Sequence, residues 1–204
     1  MREIGAGKRV ALLYRYQMDP QLPSRSSHRL VSHSYRGPWT YFITVCTRKR
    51  QPVLATIEAG QATLSAIGSM VSEEWIRTTS LRPGVTLDAY AVMPDHFHGL
   101  VTLPPDESLP DRWARSEYAR RGGGVARGYR PASLSALIGG FKAACTRRYW
   151  EIEGRRCESL WQRDYHDRIV RDADALNQIR QYIHENPARW KGAPRAPGDS
   201  RRGP

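Results

Sequence analysis

The chain has 204 residues, 40% of them apolar and 25% charged, with a net charge of +12 and a sequence pI of about 10.1. This composition allows one globular domain with tails, and the positive charge favours nucleic acid as a partner; since only four of the 32 basic residues are lysine, a compositional bias toward arginine is the alternative. Three cysteines without CxxC spacing and the lack of a long apolar segment argue against a disulfide framework, a zinc ribbon, a signal peptide or a membrane span, and favour the cytoplasm.

The first half of the chain predicts one helix and three strands. Residues 1–38 hold seven basic and two acidic residues and are expected to form a basic, disordered arm. The β-branched and aromatic segment 39–47 predicts a strand, and the apolar spacing within 55–79 predicts a helix. Segments 84–94 and 96–104 predict two further strands, joined tightly through the letters MPDH.

The second half opens with a long segment at 111–131 that contains arginines and three consecutive glycines, and we expect an exposed loop there. A helix is predicted over 133–150, an extended segment over 159–170 and a second helix over 171–187, with Asp172 as its N-cap. Residues 191–204 are expected to form a basic disordered tail. The element order predicts an α+β fold, a ferredoxin-like split βαβ antiparallel sheet with helices on one face.

Two histidines stand next but one to each other in the third predicted strand, at His96 and His98. Alternate residues of a strand share a face, so both imidazoles should lie on the face opposite Phe97. Such a pair can bind a metal ion, or it can be two polar residues on a hydrated sheet face.

The last predicted helix places Tyr182 and Asn186 on one face, beside an apolar stripe that contains Ile179 and Ile183. The tyrosine ring could pack while its hydroxyl reaches a site. A core tyrosine and a helix stop at Asn186–Pro187 are the simpler alternatives.

The segments AVMPDHFHGLVTLP and LWQRDYHDRIVRDADALNQIRQYIHENPARW, taken together, resemble the REP-associated tyrosine transposases, which belong to the HUH superfamily of single-tyrosine transposases. The resemblance covers about residues 39–190 and implies that this region is a transposase catalytic domain. It implies nicking and joining of single-stranded DNA at palindromic hairpins through a 5′-phosphotyrosine intermediate. A divalent metal, Mg²⁺ or Mn²⁺, would be the cofactor, with no nucleotide cofactor and no membrane partner. The protein would act as a monomer or a homodimer.

The resemblance also implies roles for particular residues. His96 and His98 match the metal-binding pair, Tyr182 matches the nucleophile, and Asn186 matches the residue that completes the metal shell. Tyr165 is an alternative nucleophile because Asp164 and His166 flank it, and both His166 and His184 could act as a general acid or base. Candidate DNA-binding residues lie in basic stretches with aromatic neighbours: Arg112, Arg115, Arg120, Arg121, Arg127, Arg130, Trp161 and Arg163. Trp161 could equally be a core residue.

Two rival functions are compatible with these features. One is a catalytically silent DNA-binding repressor that kept the fold. The other is a metal-dependent RNA phosphodiesterase that uses a bound water in place of the tyrosine. A covalent protein–DNA adduct would distinguish the transposase from both.

Overall fold

The computed structural model describes residues 37–105, 133–156 and 158–192. The strands are β1 Thr40–Cys46, β2 Ala55–Glu58, β3 Gln61–Leu64, β4 Thr86–Met93, β5 His96–Thr102 and β6 His166–Val170. The helices are α1 Ala66–Leu81, α2 Leu134–Ile152 and α3 Ala173–Glu185, with 3₁₀ turns at Arg48–Arg50 and Pro187–Arg189. None of these helices is both long and apolar enough to cross a membrane.

Four strands form one antiparallel sheet in the order β4-β5-β1-β6. β5 lies between β1 and β4, so the β1-α1-β4 unit is split by an inserted strand, as in ferredoxin-like folds. The predicted α+β fold class is therefore confirmed. The sheet matters for function because β5 enters it directly after the short turn formed by Pro94 and Asp95.

The two faces of the sheet are covered differently. Phe97 and Val101 of β5 lie in the main core, together with Trp75 of α1 and Phe141 of α2. Leu100 lies on the opposite face and packs against α3 in a second, smaller cluster. The two long helices thus cover one face, and α3 covers part of the other.

The segment before α1 differs from the predicted helix. Residues 55–64 form the hairpin β2-β3, and Ala59 and Gly60 at its turn have φ values of 48° and 77°. The β-branched residues in these strands favour extended backbone, and two consecutive positive φ values are typical of a tight hairpin turn. The helix begins at Ala66, where the Ser65 side chain accepts a hydrogen bond from the Gly68 amide.

The other predicted elements agree with the structure at their centres. Asp172 caps α3 by accepting a hydrogen bond from the Ala175 amide at 2.7 Å. Of the predicted extended segment, the last part forms strand β6, and Trp161 makes an isolated antiparallel bridge to Thr47. Most of the predicted arm, almost all of the predicted tail and the whole of the predicted loop at 111–131 lie outside the described residues.

Candidate functional site

The two histidines of β5 are enclosed. His96 and His98 are 3% and 1% exposed, and their Nε2 atoms lie 3.0 Å apart. Their alternation with Phe97, which is in the main core, places them on the α3 face of the sheet. The hydrated-face alternative is therefore wrong, because helix α3 and Trp190 cover this face; the Trp190 ring lies 5.8 Å from that of His96.

Each imidazole is oriented through its δ nitrogen. Nδ1 of His96 lies 2.5 Å from Oδ1 of Asp95, and Nδ1 of His98 lies 2.9 Å from the hydroxyl of Thr44. A carboxylate only accepts hydrogen bonds, so Nδ1 of His96 donates its proton to Asp95. Burial is the main reason why the pKa of His98 lies well below its ordinary value, and a hydrogen bond between its ring and the backbone of Ile43 only partly opposes that shift.

With Nδ1 of His96 donating to Asp95, the Nε2 atom of His96 is left as an acceptor, and Nε2 of His98 faces it at 3.0 Å. Burial lowers the pKa of both rings, that of His98 to well below the ordinary value of 6.5, and the positive charge of Arg50 lowers both further. Two neutral imidazoles whose ε nitrogens face one another at this distance can each offer a lone pair to a cation.

The donor set fits a divalent metal ion. Two nitrogens that each lie about 2.1 Å from one ion at a right angle are about 3.0 Å apart, as the two Nε2 atoms are here. Metal-binding histidines usually donate their other N–H to a carboxylate or a carbonyl, as His96 does to Asp95. Within the described residues no group of three or more His, Cys, Asp or Glu side chains could hold a metal. Amide, substrate or water oxygens are the other ligands that such an ion could take.

Helix α3 brings Tyr182 to the histidine pair. The tyrosine is 6% exposed, and its hydroxyl lies 3.5 Å from Nε2 of His98. Its ring packs edge-on against Phe42, with centroids 6.0 Å apart, and Phe42 in turn stacks on His98 at 5.2 Å. These contacts fix the phenol oxygen beside the two lone pairs.

Asn186 follows one turn later and is 5% exposed. It forms the C-cap of α3, where its backbone N–H donates to the carbonyl of Ile183 at 3.4 Å. Its position on the Tyr182 face is as predicted, but among the described residues its side chain makes no hydrogen bond to either histidine. A role for Asn186 in metal binding stays a prediction.

The alternative catalytic residues occupy different places. Tyr165 packs against the main core on the opposite face of the sheet, so the structure does not bring it to the histidines. His166 is exposed and pairs with Thr44 of β1, which also pairs with His98. His166 therefore lies on the same face as His98, but in β6, which is separated from β5 by β1. His184 is exposed on α3. Of these three, His166 alone shares the sheet face of the site.

The predicted DNA contacts divide into three groups. Trp161 is 2% exposed and packs at 6.0 Å from Phe141 in the main core, so the prediction that its ring stacks on a base is corrected to a core role. Arg163 is exposed, and its contact with DNA stays a prediction. The remaining arginines lie outside the described residues: Arg112, Arg115, Arg120, Arg121, Arg127 and Arg130.

Sequence reasoning missed three residues around the histidines, namely Asp95, Thr44 and Arg50. The position of Asp95, directly before His96 in a tight turn, was a usable signal, because an acidic neighbour often orients a ligand histidine. Thr44 and Arg50 contact the site across 54 and 45 residues of sequence, which no local pattern reveals.

Comparisons with known proteins give the chain a fold but no family. No protein-family model matches the sequence. An uncharacterized protein of Haemophilus influenzae is 28% identical over 171 residues, which span 82% of this chain and 90% of that protein. A structure of a REP-associated tyrosine transposase bound to a REP hairpin shares 19% identity with a TM-score of 0.54, over 80% of this chain and 73% of that one. A candidate transposase from Deinococcus radiodurans also shares 19% identity, over 76% of this chain and 96% of that one, but its TM-score is only 0.42. The chain therefore has the fold of a hairpin-binding tyrosine transposase.

Proposed function

We propose that this protein is a transposase that nicks and joins single-stranded DNA at palindromic hairpins, with Tyr182 as its nucleophile. The observation that carries the proposal is the convergence of one phenol oxygen and two imidazole ε nitrogens in an enclosed site, with Tyr182 Oη 3.5 Å and His96 Nε2 3.0 Å from Nε2 of His98. The fold shared with a transposase that binds a REP hairpin supports it.

In the proposed reaction the Tyr182 oxygen attacks a phosphorus atom of the DNA backbone. A Tyr Oη–P bond forms as the bond from phosphorus to the 3′ oxygen breaks. The phenol loses its proton, and the departing 3′ oxygen gains one. The product is a 5′-phosphotyrosine link with a free 3′-hydroxyl, and attack by another 3′-hydroxyl reverses the step and joins the strands. The covalent link conserves the energy of the phosphodiester, so no nucleotide cofactor is needed.

The residues of the site divide this work. The ordinary pKa of a phenol is about 10, so negative charge must be stabilised during the attack. Mg²⁺ or Mn²⁺, held by Nε2 of His96 and His98 and by Asn186, would polarise the phosphate and neutralise charge when bound. Asp95 and Thr44 hold the imidazoles in place, and Phe42 fixes the ring of Tyr182.

The substrate must displace part of the cover over this site. Tyr182 and the two histidines are each at least nine-tenths buried, and Trp190 lies against His96 just after α3 ends. Trp190 follows the 3₁₀ turn Pro187–Arg189, so rotation of this short segment would open the histidine pair with little disturbance of the sheet. The net charge of +12 supports a nucleic-acid substrate that could drive such an opening.

The test is incubation of the full chain with a labelled library of single-stranded DNA hairpins and Mn²⁺. We expect a protein–DNA adduct that resists denaturation, requires the metal and is absent from Tyr182→Phe. Strand cleavage without an adduct would favour the water-using phosphodiesterase, particularly if RNA is cut better than DNA. Hairpin binding with neither cleavage nor adduct would favour a catalytically silent repressor.

A further inference from the structure

The turn that follows β1 is hydrogen-bonded to the Pro94–Asp95 turn, which directly precedes His96. The Thr47 amide donates to the Asp95 carbonyl at 2.9 Å, and the Thr47 hydroxyl contacts the same carbonyl at 2.9 Å. The Leu54 amide donates to the Pro94 carbonyl at 3.0 Å. The segment between Thr47 and Leu54 is therefore held against the entrance to β5.

Within this segment, Lys49 and Arg50 both have φ values of 55°. Consecutive left-handed residues other than glycine are uncommon, and such strain concentrates at functional sites. With this backbone conformation the Arg50 side chain lies beside the Pro94–Asp95 turn, where its Nη1 is 3.5 Å from Oδ2 of Asp95. The other carboxylate oxygen of Asp95 accepts from His96, so one buried carboxylate links the arginine to the histidine pair.

Arg50 is only partly used by this contact. Its side chain is 33% exposed whereas that of Asp95 is 1% exposed, so the guanidinium lies between the enclosed site and solvent. Among the residues that the structure describes, this side-chain contact is single and long, and a guanidinium has five N–H donors, so donors remain for a ligand.

The N–H donors of Arg50 that Asp95 leaves unused suit an anionic ligand with tetrahedral oxygens. A phosphodiester brings one negative charge and two non-bridging oxygens, and guanidinium is the side chain best suited to bind them.

We propose that Arg50 contacts a non-bridging oxygen of the DNA phosphate that Tyr182 attacks, and that Asp95 positions both Arg50 and His96. This role rests on the proposed function of the site. Arg50 is then a catalytic residue that stabilises charge on the phosphate, and Asp95 is a positioning residue.

The test compares Arg50→Gln with Arg48→Gln, a matched change two residues away. Arg48 belongs to the same turn, but its guanidinium is paired with Glu158, with Nε 2.5 Å from Oε2. Adduct formation is measured in single turnover on a hairpin that the wild-type protein cleaves, and hairpin affinity is measured by fluorescence anisotropy. We expect Arg50→Gln to slow adduct formation by about 100-fold, the usual effect of removing one donor to a transition-state oxyanion, with a few-fold change in affinity. Arg48→Gln should leave the rate near that of the wild type.

A modified substrate isolates the contact itself. A methylphosphonate at the mapped cleavage position removes one charged oxygen, and its binding is measured with Tyr182→Phe as the background and EDTA present. The methylphosphonate should weaken binding when Arg50 is intact and have little further effect in the double variant with Arg50→Gln. If the methylphosphonate and Arg50→Gln each weaken binding by the same factor whether or not the other change is present, the contact is overturned.

The outcomes separate this inference from the proposed function. A wild-type adduct together with Arg50→Gln as fast as Arg48→Gln overturns the role of Arg50 and leaves the transposase proposal standing. No wild-type adduct on any hairpin overturns both. If Arg50→Gln does not fold, as judged by thermal denaturation, Arg50→Lys decides: it retains the cation and should retain part of the rate, and a folded but fully inactive Arg50→Lys overturns a charge-based role.

Discussion

Replacing Gly99 with alanine should lower the free energy of unfolding, because Gly99 lies in β5, the strand that contains both histidines, and faces the main core. A Cβ at this position would lie 2.7 Å from Cζ2 of Trp75 and 2.9 Å from Cε1 of Phe97. Trp75 is fully buried and lies between Phe97 and Phe141, with ring centroids 4.9 and 5.3 Å away, so it has no free space into which to move. Overpacking of this kind costs about 1–3 kcal/mol of unfolding free energy, and we expect a loss in that range.

Gly139→Ala is the matched control, because a Cβ there meets no atom within 4 Å and the residue lies inside α2. Alanine is the better helix former, so this variant should gain about 0.5–1 kcal/mol. Urea denaturation followed by circular dichroism gives both midpoints, with unchanged slopes expected. A Gly99→Ala protein as stable as the wild type, or a destabilised Gly139→Ala protein, would refute the packing described for this face of the sheet.

Three further predictions concern the metal, the tyrosine helix and the basic arm. His98→Ala should abolish Mn²⁺ binding in calorimetry while hairpin affinity in EDTA changes only a few-fold; unchanged Mn²⁺ affinity would argue against the histidine pair as the metal site. Asp88→Ala removes the carboxylate that accepts from Nε and Nη2 of Arg180, which links α3 to β4, so amide exchange in α3 should accelerate while exchange in β5 does not. Arg180 holds the pKa of Asp88 below its ordinary value of 3.8, so in the wild-type protein the carboxylate should protect the amides of α3 from exchange fully at neutral pH. That protection should be lost as the pH falls below 3.8, and protection of α3 that is independent of pH would contradict the link. Deleting residues 1–38 removes a net charge of +5 and should weaken hairpin binding and make its salt dependence shallower without moving the cleavage position; a moved position would mean that the arm reads sequence.

The face on which each site residue lies could be predicted from sequence because local periodicity determines it. The next-but-one spacing of His96 and His98 placed both imidazoles opposite Phe97, and the four-residue spacing of Tyr182 and Asn186 placed both on the covered side of α3. Both relations depend only on the geometry of a single strand or helix.

The features that sequence missed depend on contacts between distant segments or on turns without a strong signal. The hairpin over 55–64 has apolar residues at spacings that also suit a helix, and its turn at Ala59–Gly60 lacks the usual Asn or Asp. The burial of Trp161 beside Phe141 and the approach of Arg50 to Asp95 join residues that are 20 and 45 positions apart. Only the packed sheet and helices bring these side chains together.

The most direct test of the account identifies the residue that carries the DNA. The adduct is trapped with a labelled hairpin, digested with trypsin and nuclease, and the nucleotide-bearing peptide is sequenced by mass spectrometry. Tyr182 and Tyr165 fall in different tryptic peptides, QYIHENPAR and DYHDR. We expect the label on Tyr182, in QYIHENPAR. Label on Tyr165 would contradict the assignment of the nucleophile, since that ring packs on the opposite face of the sheet from the histidine pair.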